Sequence, residues 1–211
     1  MDDSFDAGSS AVLVFDMLNG HIKKDDPATD ARMAPVVKNA QRVVEAARSA
    51  NMMIAYAAAN HRADGKTTVR TLRDTDNRLN ALDAKGPAEP LLSGGTWGTD
   101  VIDEIAPRQE DFIIPKFRWS AFYQTYLEVA LRAQGVKTLV LMGGSTDVGV
   151  ASTAYSARDR DFNLVIVSDA CSSPEQDNHD QFMTRIFPRM ARVRTTDQVC
   201  AMIGQGQRAA S

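Results

Sequence analysis

Cysteine, histidine and long apolar runs are all scarce in this chain of 211 residues. The two cysteines, Cys171 and Cys200, are too few for a disulfide framework or a zinc set. The three histidines, His21, His61 and His179, are too dispersed for a short metal motif, so no metal and no cofactor are expected. No apolar run nears the roughly 20 residues that span a bilayer, which removes a membrane partner from the expectation. The opening "MDDSFDAGSS" is acidic and lacks the basic-then-apolar pattern of a signal peptide, so a cytoplasmic protein is expected. Neither sign of charge dominates: 24 Lys and Arg stand against 27 Asp and Glu. The basic residues are scattered among acids, without the patch that a nucleic-acid partner requires.

What is present is an alternation of short apolar runs and helical patterns, with no internal repeat. "SAVLVFDML" (10–18) is almost continuously apolar, the mark of a buried strand. "PVVKNAQRVVEAARSA" (35–50) has apolar residues at helical spacing, and Pro35 suits a helix start. Further strands are expected at 52–59, 111–116, 137–143, 163–170 and 191–196. Further helices are expected at 121–135, ended by Gly135, then at 147–161 and about 174–188. A short last helix follows, with Thr196 as its N-cap. Residues 60–99 are polar, rich in Gly and Arg and barely periodic; they read as a long excursion with one short helix around 75–83. Residues 1–211 then form a single domain of α/β class. It has three layers, α-β-α, around a six-stranded, mostly parallel, Rossmann-like sheet.

In such sheets ligands sit beyond the C-terminal ends of the strands. Three polar groups fall there: Asp16 after strand one, Lys116 after strand three, and the turn "GGSTD" after strand four. An acid directly behind "VLVF" is costly to bury unless paired. A neighbouring Lys116 would hold it ionised and could pass a proton; the plain alternative is a turn-capping Asp in a structural salt bridge. The two glycines of the turn permit a tight backbone whose amides could cradle an oxyanion. Ser145 is a nucleophile by type, but no histidine lies near it in sequence; a turn or cap role for its hydroxyl is the plainer reading.

The segments "VFDMLNGHI", "IIPKFRWSAFYQTYLEVALRAQGVKTLVLMGG", "STDVGVASTAYSARDRDFNLVIVSDACSS" and "ARVRTTDQV" together resemble the isochorismatase-like hydrolases over about residues 10–203. The resemblance implies the fold of that superfamily, hydrolysis of a small-molecule substrate and a homo-oligomer, commonly a dimer or tetramer. Most members are cysteine hydrolases of amides and ureas with an Asp, a Lys and a Cys. Carried over, the Asp is Asp16, the Lys is Lys116, and Gly149 stands at the Cys position. The oxyanion donors would be the backbone amides of Ser145 and Gly149, and the Gly144–Ser145 peptide would be cis. Members that cleave a vinyl ether also carry Gly there, with the Asp as general acid.

Other positions follow less directly. Leu18 replaces the family's Gln, and His21 takes its aromatic position, as a polar pocket wall or a satisfied loop histidine. After strand two, Asn60, Arg70 and Arg73 are candidate counterparts of substrate-binding residues, with an Arg meeting a substrate carboxylate. The nicotinamidase metal group Asp-x-His is missing from "YAAANHRADG". Trp119 is expected in the pocket and Phe122 in the core, while Tyr155 faces the pocket or a neighbouring subunit. Three functions fit: a vinyl-ether hydrolase working through Asp16, an amide or urea C–N hydrolase whose cysteine has become Gly149, and a non-catalytic binding protein on the same fold.

Overall fold

β1 (Ser10–Phe15) is buried at all six positions because it lies between two strands and beneath helices. With no wet face, it has no place for alternating polar residues. The structure, a computed structural model, describes residues 5–67 and 92–210. Its other strands are β2 (Met53–Ala59), β3 (Phe112–Lys116), β4 (Thr138–Gly144), β5 (Asn163–Ser172) and β6 (Arg192–Arg194). They form one sheet in the order β3-β2-β1-β4-β5-β6, with every neighbouring pair parallel. The chain steps one way from β1 to β2 and the other way from β4 to β5. Right-handed crossovers therefore put their helices on opposite faces, giving the three layers. The order reverses between β1 and β4, so a crevice opens at their C-terminal ends.

α1 is a single turn, Asn19–Ile22, and α2 runs from Pro27 to Ser49. The expected start at Pro35 is corrected by eight residues. Asp26 accepts from the Thr29 N–H and Pro27 takes the first turn, where a missing N–H costs nothing. Pro35 lies inside the helix. α2 buries Met33, Val36, Ala40, Val43, Val44 and Ala47, a stripe at helical spacing, against the sheet and α6 (Thr196–Ala210).

The helix expected at 121–135 shortens to α3 (Leu127–Ala133). Side-chain hydroxyls take up backbone N–H groups ahead of it and at its first residue. Ser120 Oγ accepts from the Phe122 N–H, Thr125 Oγ1 from the Leu127 N–H, and Thr153 Oγ1 from the Ala121 N–H. Gln124, at φ +54, closes off any continuous helix there. Gly135, at φ +67, ends α3 as the sequence indicates. The next helix opens as a wide turn over Thr146–Val150 and continues as α4 (Ala151–Arg158). The one expected at 174–188 is α5 (Gln176–Gln181) followed by looser turns to Arg189.

At the last helix Thr195, not Thr196, is the cap. Its N–H donates to Gln198 Oε1 and its Oγ1 accepts from the Gln198 N–H, a reciprocal capping box. Thr196 instead gives its N–H and hydroxyl to Asp169. The short helix expected at 75–83, Arg70 and Arg73 lie outside the described residues.

Candidate active site

The backbone turns sharply at Asp16, which adopts φ +48 straight after β1. Its N–H donates to the Ala57 carbonyl at 2.9 Å, so the turn is tied to β2. The carboxylate is then held from two strands. Oδ1 accepts from the Ala59 N–H at 3.1 Å, and Oδ2 lies 2.6 Å from Lys116 Nζ at the end of β3. Both side chains are buried, with 11% and 7% of their surface exposed. Two charges taken that far out of water persist because each satisfies the other. The ammonium also sits 4.5 Å from the centroid of the Phe15 ring, a cation–π contact.

β4 ends on glycines for a steric reason. Gly143 has φ +122, and a Cβ there would meet the Phe15 carbonyl carbon at 2.9 Å and its oxygen closer still. The Gly144–Ser145 peptide that follows is cis. The Ser145 hydroxyl donates to Asp147 Oδ1, which also accepts from Ser173 at 2.7 Å, while Asn178 donates to Oδ2 at 2.8 Å. Burial opposes ionisation of Asp147, but these hydrogen bonds outweigh it and hold its carboxyl below the ordinary value. The serine hydroxyl is thus committed to bracing the turn. Thr146, fully buried, bonds His179 Nδ1 at 2.9 Å behind it.

Gly149 faces the same space. A Cβ on it would come within 2.5 Å of Phe15 Cζ and closer to Cε1. The Phe15 ring fills the volume that a side chain at 149 would need. Phe15 is 1% exposed, so the ring has little room to retreat. Among the cysteines, Cys171 is buried beside the end of β4, and burial pushes its thiol up to about 12; Cys200 is half-buried on α6.

A cavity of about 200 Å³ opens at this crevice. It is lined by Asp16, Lys116, Ser145, Gly149, His21 and Trp119, so these six sequence-expected residues converge. Burial lowers the pKa of His21; Asp16 raises it, and Lys116 and Lys24 add to the lowering. Trp119 is 58% exposed and stands at the rim. Asn60 and Tyr155 do not line the cavity. The Asn60 N–H donates to the Lys116 carbonyl, and its side chain lies against Gly94. Tyr155 is on the outer side of α4. Phe122 packs in the core against Phe162, with ring centroids 5.9 Å apart.

The wall holds residues that sequence reasoning missed: Phe15, Ile22, Lys24, Arg32, Met33, Ser172 and Pro174. Arg32 and Met33 precede Pro35, where the apolar spacing places the helix start. The Asp-Pro pair at 26–27, an N-cap followed by a first-turn proline, was the signal that would have included them. Among the described residues, no three His, Cys, Asp or Glu side chains cluster in a way that could hold a metal ion, and no helix is long and apolar enough to cross a membrane.

Comparison with known proteins gives concordant matches. Residues 10–198 match the model of the isochorismatase domain. The uncharacterized isochorismatase family protein YecD of Escherichia coli O157:H7 is 41% identical over 118 residues, which is 56% of this chain and 61% of that protein. The ureidoacrylate amidohydrolase RutB of Methylorubrum extorquens is 30% identical over 79% of this chain and 71% of its own length. The crystal structure of N-carbamoylsarcosine amidase from Thermoplasma acidophilum superposes with a TM-score of 0.69. It is 28% identical and covers 90% of this chain and 97% of that one.

Proposed function

Because this chain belongs to the isochorismatase family of hydrolases, we propose that it hydrolyses a small molecule without a covalent enzyme intermediate, with Asp16 as the general acid of a vinyl-ether cleavage. The observation that carries this reading is the packing at Gly149. The space for a side chain there is occupied by the Phe15 ring, which supports a position built around glycine. The Ser145 hydroxyl is engaged by Asp147, and Cys171 is buried outside the cavity lining.

In this route Lys116 passes a proton across the 2.6 Å contact to Asp16 Oδ2. Asp16 delivers it to the terminal carbon of the vinyl ether, leaving a cation stabilised by the ether oxygen. Water adds to the carbon that bears the ether oxygen and returns a proton to the Asp16–Lys116 pair. The resulting hemiketal collapses to an alcohol and a ketone. Backbone N–H groups of Ser145 and Gly149 serve as donors to oxygen in the cavity, in line with both residues lining it. His21, neutral at pH 7 under its lowered pKa, forms a polar wall.

A second reading is favoured by the relatives, two of which are named as acting on ureido or carbamoyl compounds. In it, the Asp16–Lys116 pair activates water for attack at a C–N bond, again without a nucleophilic side chain. In either reading the protein is a cytoplasmic homo-oligomer. The exposed side chains of Ile113, Tyr123, Tyr126, Val129 and Tyr155 supply apolar surface for a second copy.

The test is pyruvate release from isochorismate by the purified protein, beside ammonia release from a panel of ureido and carbamoyl acids. Pyruvate release that disappears in Asp16→Asn supports the first reading. Ammonia release alone supports the second. Saturable ligand binding with no product from either set would make the protein a binding module and overturn both.

A further inference from the structure

We propose that Arg32 is the anion-binding residue of this cavity, so that the site selects small carboxylates over their neutral amides. The inference rests on the cavity being the substrate site, but not on which bond is cleaved.

Among the described residues, the cavity carries three cationic side chains, Lys24, Arg32 and Lys116, against a single carboxylate, Asp16. That carboxylate is fully engaged, by Lys116 on one oxygen and the Ala59 N–H on the other. The cavity therefore keeps uncompensated positive charge. Lys24 is exposed and strongly hydrated, whereas Arg32 is half-buried on α2.

The Arg32 head is fixed in place. Nη1 donates to Ser172 Oγ at 3.2 Å and to the Ser173 carbonyl at 3.3 Å. Both partners are neutral. Asp26, a carboxylate that feels its charge, is bound instead to the Thr29 N–H and hydroxyl. Among the described residues nothing bonds Nε or Nη2 of Arg32, and a planar guanidinium presents such groups as a fork suited to carboxylate oxygens.

The anchor point sets where a ligand would lie. Ser172 is level with Gly144 in the β4–β5 register, directly before the turn at Ser145. A carboxylate on Arg32 places the rest of a small molecule between that turn and the Asp16–Lys116 pair, all on the wall of one cavity of about 200 Å³. The sequence places an arginine for a substrate carboxylate in the segment after β2. The helix before β2 supplies one.

The probes are benzoate and benzamide, nearly isosteric and different in charge, titrated calorimetrically and by protein NMR. Wild-type protein is expected to bind benzoate about tenfold or more tightly than benzamide, the scale of one charge-assisted hydrogen-bonded pair. Arg32→Gln should erase that preference with little change for benzamide, Arg32→Lys should keep part of it, and Lys24→Gln should keep most of it. Equal affinity for the two probes, no binding of either at millimolar concentration, or a preference that survives Arg32→Gln would each overturn the proposal. Arg32 is partly exposed, and unchanged thermal midpoints in the variants show that binding, not folding, is being read. No turnover enters the measurement, so the proton chemistry above can fail while this assignment stands, and the reverse.

Discussion

The ring of Phe15 occupies the space that a side chain on residue 149 would need, and the same ring carries the Lys116 ammonium 4.5 Å from its centroid. One buried aromatic residue thereby links the glycine to the ion pair. The two positions are 134 residues apart in sequence, yet neither can change freely without the other.

That coupling is measurable. Gly149→Cys alone is expected to lower stability by about 1–3 kcal/mol, the range for overpacking a filled core. Phe15→Val opens space, and combining it with Gly149→Cys should cost less than the sum of the two single changes, with a coupling of about 0.5–3 kcal/mol. Urea denaturation of the four proteins gives the cycle. Strict additivity would show that the ring and the glycine do not constrain each other.

The Asp16–Lys116 pair is structural as well as chemical. Removing either partner strands the other charge in a buried place, a loss of about 3–5 kcal/mol. Asp16→Asn with Lys116→Met in one protein is expected to be more stable than the worse of the two single variants. Turnover should fall by about 10²–10⁴ in Asp16→Asn, the usual contribution of a proton-transferring group. Turnover that persists in a folded Asp16→Asn protein would remove Asp16 from the chemistry.

Thiol reagents offer an independent check on a route without cysteine. Burial raises the pKa of both thiols, that of Cys171 to about 12, which leaves little reactive thiolate at neutral pH. Iodoacetamide at pH 8 is expected to leave Cys171 unmodified in the folded protein, to label Cys200 slowly, and to leave activity intact. Mass spectrometry of peptides alongside an assay reads all three. Rapid inactivation tracking modification of Cys171 would contradict this account.

Stability should fall as the solution is acidified below pH 6.5. Burial lowers the pKa of His21, His61 and His179 alike. Between their folded values and 6.5 the unfolded chain binds more protons than the folded one, so stability rises with pH across that window and levels off above it. The lowered carboxyl of Asp147 adds a loss of the same sign at more acid pH, below 3.8. Thermal midpoints from pH 7.5 to 5 should show the slope, and replacing the three histidines with Gln should flatten it. An unchanged slope in that variant would assign the effect to other groups.

Much of this molecule was legible along the chain. Short continuous apolar runs such as "VLVF", bounded by turn residues, suit strands covered on both faces, and their alternation with helical stripes points to a layered parallel sheet. Asp16 and Lys116 were recognisable because a charge at the end of a buried strand needs a partner, and strand ends of one sheet lie together. Helix starts were less legible. Asp26 and Thr195 cap through hydrogen bonds to residues three positions on, whereas the apolar spacing marked only the buried stretches.

The residues alone therefore determined the fold class and the two ends of the ion pair, because burial and strand polarity are written in local composition. Only the folded molecule decided what surrounds them. Phe15 against Gly149 and Arg32 against Ser172 are contacts across 134 and 140 positions. They depend on the register of β1, β4 and β5 and on where α2 begins, to within a single residue. Local sequence carries no trace of such contacts, because the shape of a cavity is set by which side chains meet, not by which are neighbours in the chain.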